Sequence, residues 1–181
     1  MQYQDCVLEP QDETAHRQNA RTPDAGFRDG QLAAANINPQ TGLATDYLNH
    51  FNEAIMLLEM VGDCPDCLAD IRLWQPMSYR EHFLESRLAG RDLAISAYAG
   101  ADPAARACLD NLSSTMTTVI ETMRTTLTAD LPAQATGEVA ARAAVWLKQL
   151  VARAGAVING EIDTARIDAP QATADRLMRR G

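Results

Sequence analysis

Cys64-Pro65-Asp66-Cys67 places two thiols three residues apart, across a proline, where two helical patterns meet. Two chemistries suit that spacing. A cysteine capping a helix has its thiolate stabilised by unpaired backbone N–H groups, and a second cysteine three residues on can resolve a mixed disulfide. The same two thiolates, joined by an imidazole and a carboxylate or water, could hold a metal ion. If the helices flanking the junction form a hairpin, Glu59 near the end of the first and His82 near the start of the second lie at the depth of the pair. The candidate set, for redox catalysis or for a metal, is therefore Glu59, Cys64, Cys67 and His82. Against the redox reading, Glu59, Asp63, Asp66 and Asp70 crowd the thiols with negative charge and oppose thiolate formation. Against the metal reading, one Cys-x-x-Cys without a second pair is a weak zinc signal. The plainer reading is that both cysteines fill a turn as small, half-buried residues.

The Cys64–Cys67 motif is similar to that of the all-helical carboxymuconolactone decarboxylase and alkylhydroperoxidase D proteins. The likeness covers those four residues, and Ile71 stands where those proteins carry a histidine, so no catalytic role follows from it. No βαβ pattern surrounds the pair, which argues against a thioredoxin-like context. Cys108 falls among helical apolar positions and reads as core, whereas Cys6 lies in a polar stretch. His50 and Glu53 share a helix face with Leu57 and Met60, a set suited to line a pocket or a partner interface. His50 lies about 21 Å along a straight helix from Cys64 and is not expected to join the cysteine cluster. Glu13 and His16 form a Glu-x-x-His pair in a polar region, away from any bundle core. No phosphate loop, dinucleotide fingerprint or nucleophile elbow is present.

The elements that would position these groups are helical. Between about 46 and 62, Tyr47, Leu48, Phe51, Ala54, Ile55, Leu58 and Val61 share one face, while Met56, Leu57 and Met60 lie off it. A helix apolar on more than one side suits a central position or an oligomer interface. Pro65 predicts a short helix to about residue 73, started by Cys64 as cap. Ser78 and Glu81 have the capping-box spacing for a helix over 79–98, which Gly90 can kink or split. Asp102-Pro103 starts a helix that runs to a stop before Pro132, and a further one spans about 138–159. One more short helix is expected near 172–180. Residues 1–41 read as an extended or partly ordered arm with one docked turn at Leu32–Ala35. No internal repeat of fixed period is read along the chain. The prediction is one all-α domain over 42–181, an up-down antiparallel bundle of four long helices plus short ones.

Charge and composition narrow the function. The net charge of -8, with thirteen acids against six bases over residues 42–132, argues against a nucleic-acid binder. No apolar run is long enough for a membrane span and no export signal is read at the start, so a cytoplasmic location is expected. With no strong catalytic motif, the expectation is a non-enzymatic protein without a cofactor, regulatory or scaffolding, that acts through protein contacts as a homodimer. The alternative is a thiol-redox or metal-ion-binding protein using Cys64, Cys67, His82 and Glu59.

Overall fold

The computed structural model describes residues 23–64, 66–127 and 131–161. Over these the chain is helical, with one isolated bridge between Ile37 and Ala44. In order come α1 (Pro23–Ala34), a 3-10 turn (Thr45–Leu48), α2 (Asn49–Met60), α3 (Cys67–Leu73), α4 (Tyr79–Glu85), α5 (Arg91–Ala99), α6 (Pro103–Thr126) and α7 (Ala133–Ile158). Cys6, Glu13, His16 and the helix expected near 172–180 lie outside the described residues.

The expected bundle of four long helices is replaced by a core of three, α2, α6 and α7, in which α7 packs against both others. The central position expected for the helix at 46–62 belongs to α7. Its buried stripe, Ala140, Ala144, Leu147, Ala154, Val157 and Ile158, is small enough at several positions to admit a neighbour on two sides. Gly62 and Gly137 meet backbone to backbone, and Gly155 faces Leu48, so α2 and α7 run antiparallel. A Cβ on Gly137 would stand 3.0 Å from the Gly62 Cα, which explains why glycine occupies the contact. On α6, the hydroxyls of Thr115, Thr118, Thr122 and Thr125 donate to carbonyls one turn back, leaving Leu109, Leu112, Met116 and Ile120 to pack inward.

The helix expected over 79–98 is two. Ser78 opens α4 with a reciprocal capping box to Glu81, and α4 ends at Glu85. The chain leaves α4 at Ser86, which is extended (φ -70°, ψ 154°), and at Gly90, before α5, a Cβ would come within 2.7 Å of the Ala35 Cβ. The N-terminal arm is also corrected where it is described. Its single expected turn is the three-turn α1, and Ile37 and Thr41 are buried. Ile37 is 1% exposed. The Thr41 hydroxyl donates to the Ile158 carbonyl at the end of α7, and the Thr41 carbonyl accepts from the Asp102 N–H at the start of α6. One short loop thus ties together two helix ends that otherwise carry unpaired backbone groups.

Candidate functional site

The return from α2 to α4 is not a simple hairpin. After α2 the chain turns through 61–66, and α3 packs back along α2. Trp74 then stops the helix in an extended conformation (φ -56°, ψ 134°). Its indole N–H donates to the His50 carbonyl at 3.3 Å, so residues 74–78 cross the start of α2 and α4 begins there. That path places His82 beside His50, with ring centroids 6.2 Å apart. It removes His82 from the cysteines, which lie beyond the opposite end of α2.

The four residues expected to share a redox or metal site are therefore divided. Cys64 and Cys67 remain neighbours. A hydrogen bond to Cys64 raises the Cys67 thiol pKa above its ordinary value, and burial adds to the effect. Asp66, not Cys64, precedes the first residue of α3, and no side chain caps that end. Cys67 itself sits in the first helical position and is buried. Glu59 turns away to an ion pair with Lys148 of α7. Among the described residues no three His, Cys, Asp or Glu side chains are grouped to hold a metal ion. Of the expected pocket set, His50 and Glu53 do line clefts. Leu57 instead packs partly buried against the core, and Met60 is exposed.

His50 is the most unusual group in the fold. It is 3% exposed, and its ring stacks on Trp74 at 4.5 Å and 19° and meets Phe51 edge-on. Among the described residues neither ring nitrogen has a hydrogen-bond partner, nor does Nε2 of His82. Burial pushes the His50 pKa down to about 4, and the neighbouring His82 pushes the same way. Burial also lowers the pKa of His82, opposed by a hydrogen bond to the Asp46 backbone and by the charges of Asp46 and Glu85. Both imidazoles are consequently neutral near pH 7. A neutral imidazole keeps one nitrogen with a lone pair, so each ring retains the capacity to accept a hydrogen bond.

Two clefts open over this pair. One, of about 310 Å³, is lined by Asn49, His50, Glu53, Met77, His82, Glu85 and Ser86. The other, of about 430 Å³, shares His50, Glu53, Met77 and Glu85 and adds Leu73 to Pro76 and Glu81. A third, of about 550 Å³, lies across Pro76 and Met77 against Tyr98 and α6, and it alone of the three takes in Arg80. The Tyr47 hydroxyl donates to the Met77 carbonyl at 3.0 Å, which fixes the strip between them.

A signal for this site lies in the sequence, as a short motif that occurs twice rather than at a fixed period. Tyr47-Leu-Asn-His50-Phe51-Asn-Glu53 and Tyr79-Arg-Glu-His82-Phe83-Leu-Glu85 share the pattern Tyr-x-x-His-Phe-x-Glu. The structure pairs the two copies like with like. Tyr47 packs on Tyr79 at 5.1 Å and His50 lies beside His82. Phe51 and Phe83 fill the core beneath them. The Tyr79 hydroxyl also accepts the Ala44 N–H at 2.9 Å, so the second copy holds the entry to the first. No family model, curated protein or solved structure matches the chain.

Proposed function

We propose that this is a non-enzymatic helical binding protein whose ligand site is the pair of clefts over His50 and His82. The observation that carries the reading is the set of three buried ring nitrogens without a protein hydrogen-bond partner. Each such group costs about 1–3 kcal/mol when left unsatisfied, so an occupant that completes the network gains that much in binding. The clefts also join α2, the 74–78 strip and α4, so an occupant would link segments that are otherwise held by few bonds. A ligand at one hundred times its Kd stabilises the fold by about 2.7 kcal/mol.

Imidazole nitrogen NMR of the full chain, recorded against a chemically mixed fragment set, tests this. Selective shifts of the His50 and His82 resonances are expected. A set that leaves both unmoved, at fragment concentrations where weak sites respond, sinks the reading.

A second reading, association of two copies through the outer face of α2, is supported by Met56 and Met60. They are one turn apart and 54% and 44% exposed, and two neighbouring exposed methionines suit an adaptable contact. Free thiols at Cys64, Cys67 and Cys108 fit a reducing compartment such as the cytoplasm. No described helix is long and apolar enough to cross a membrane.

A further inference from the structure

We propose that the ligand of the His50–His82 clefts is a small organic cation bearing N–H donors, of the alkylammonium or guanidinium class, with a diamine as its simplest form. The inference rests on the binding reading above and adds the chemistry of what is bound.

Three observations converge on a cation. Glu53, Glu81 and Glu85 line the two clefts, and neither cleft contains a Lys or Arg side chain. An anion there would meet several like charges with no compensating cation lining the clefts. The imidazoles are of the complementary kind: neutral, so they do not repel a cation, and His50 has neither nitrogen partnered among the described residues, so whichever tautomer it adopts a lone pair is free to accept an N–H. Asp46 adds its negative charge in the neighbourhood of His82.

The arrangement favours an organic cation over a bare metal ion. A metal needs three or more ligands converging on one point, and the described residues hold no such group. The two copies of Tyr-x-x-His-Phe-x-Glu instead present two half-sites, each with one imidazole and one carboxylate a turn further on. An elongated molecule with a donor at either end can satisfy both halves. Clefts of about 310 and 430 Å³ that share four side chains are at the small end of ligand sites. The ring nitrogens lie out of solvent contact, and Met77 lines both clefts, where its unbranched side chain can adapt to an occupant.

Calorimetric titration of the full chain with 1,4-diaminobutane tests the assignment, against 1,4-butanediol, butanedioate, Zn²⁺ and Mn²⁺ as matched probes. The diamine is expected to bind and to raise the melting midpoint. Glu53→Gln and Glu85→Gln, both at exposed positions, are each expected to weaken it at least tenfold. Glu121→Gln on the exposed side of α6 is expected to leave affinity unchanged. Equal binding of the diol, binding of the dicarboxylate, or a metal-only response abolished by His50→Phe overturns the cation assignment while leaving a ligand site in place. Failure of every probe, together with unmoved imidazole resonances, overturns both readings.

Discussion

His50 and Trp74 stack at 4.5 Å between ring centroids while the Trp74 indole N–H bonds to the backbone carbonyl of His50 itself. One tryptophan thereby fixes both the helix and the side chain at the start of α2. It also holds the imidazole where neither of its nitrogens reaches a protein partner.

The first expected consequence is a pH effect of definite sign. The folded pKa of His50 is about 4 against an ordinary 6.5, so between these values the unfolded chain binds the extra proton. Stability is full above about pH 6.5 and falls as pH is lowered towards 4. Each excluded proton contributes a slope of about 1.4 kcal/mol per pH unit at most. His82 acts in the same direction, moderated by the charges of Asp46 and Glu85. His50→Phe keeps the stack on Trp74 and removes the titration. Denaturant midpoints from pH 4 to 8 should show a flatter profile and a gain of about 1 kcal/mol at pH 7. A loss of stability at pH 7 in that variant would mean that the imidazole is already satisfied.

Removing the cap of α4 should weaken the second histidine's support. Ser78→Ala deletes one half of the capping box and is expected to cost about 1 kcal/mol, with Ser78→Asp restoring most of it. Urea unfolding of the two variants checks this, and equal midpoints would show that packing alone holds α4.

Gly137→Ala improves helix propensity by about 1 kcal/mol in isolation, yet it should destabilise this protein. The new methyl would press on the Gly62 backbone at 3.0 Å, where no side chain can rotate away. A net loss of about 1–3 kcal/mol is expected from pushing α2 off α7. A raised melting midpoint would place the two helices further apart than described.

Alkylation of Cys64 and Cys67 by iodoacetamide near pH 7 should be slow. Cys67 is buried and its thiol pKa is raised, and no side chain caps the end of α3 that it begins. Fast reaction of either single-cysteine variant would restore the redox reading, and acceleration by a chelator would restore a metal at the pair.

Met60→Glu places a charge on the outer face of α2, where it should not disturb the monomer. If two copies associate there, the variant loses the larger mass in light scattering and keeps its helicity, because a desolvated charge is expensive in a contact. An unchanged mass removes this face from any interface.

Local chemistry was legible in the sequence because it acts over a few residues. The apolar period of α2, the capping box of Ser78 and Glu81, the Asp102-Pro103 start of α6 and the core position of Cys108 all follow from neighbours along the chain. The repeated Tyr-x-x-His-Phe-x-Glu pattern was equally present, although only its two buried tyrosines facing each other give it meaning. The partner of each histidine was decided by tertiary structure alone. Helix periodicity sets which face is buried but not the direction in which the next helix leaves. The return path through α3 and Trp74, and not a direct hairpin, carried His82 to His50 and away from Cys64 and Cys67. In the same way Gly90 signalled a break by its type, but the close approach of Ala35 that leaves no room there for a side chain comes from a segment distant in sequence. Ile37 and Thr41, polar-arm residues by local pattern, are core because the ends of α6 and α7 need the groups that this loop supplies.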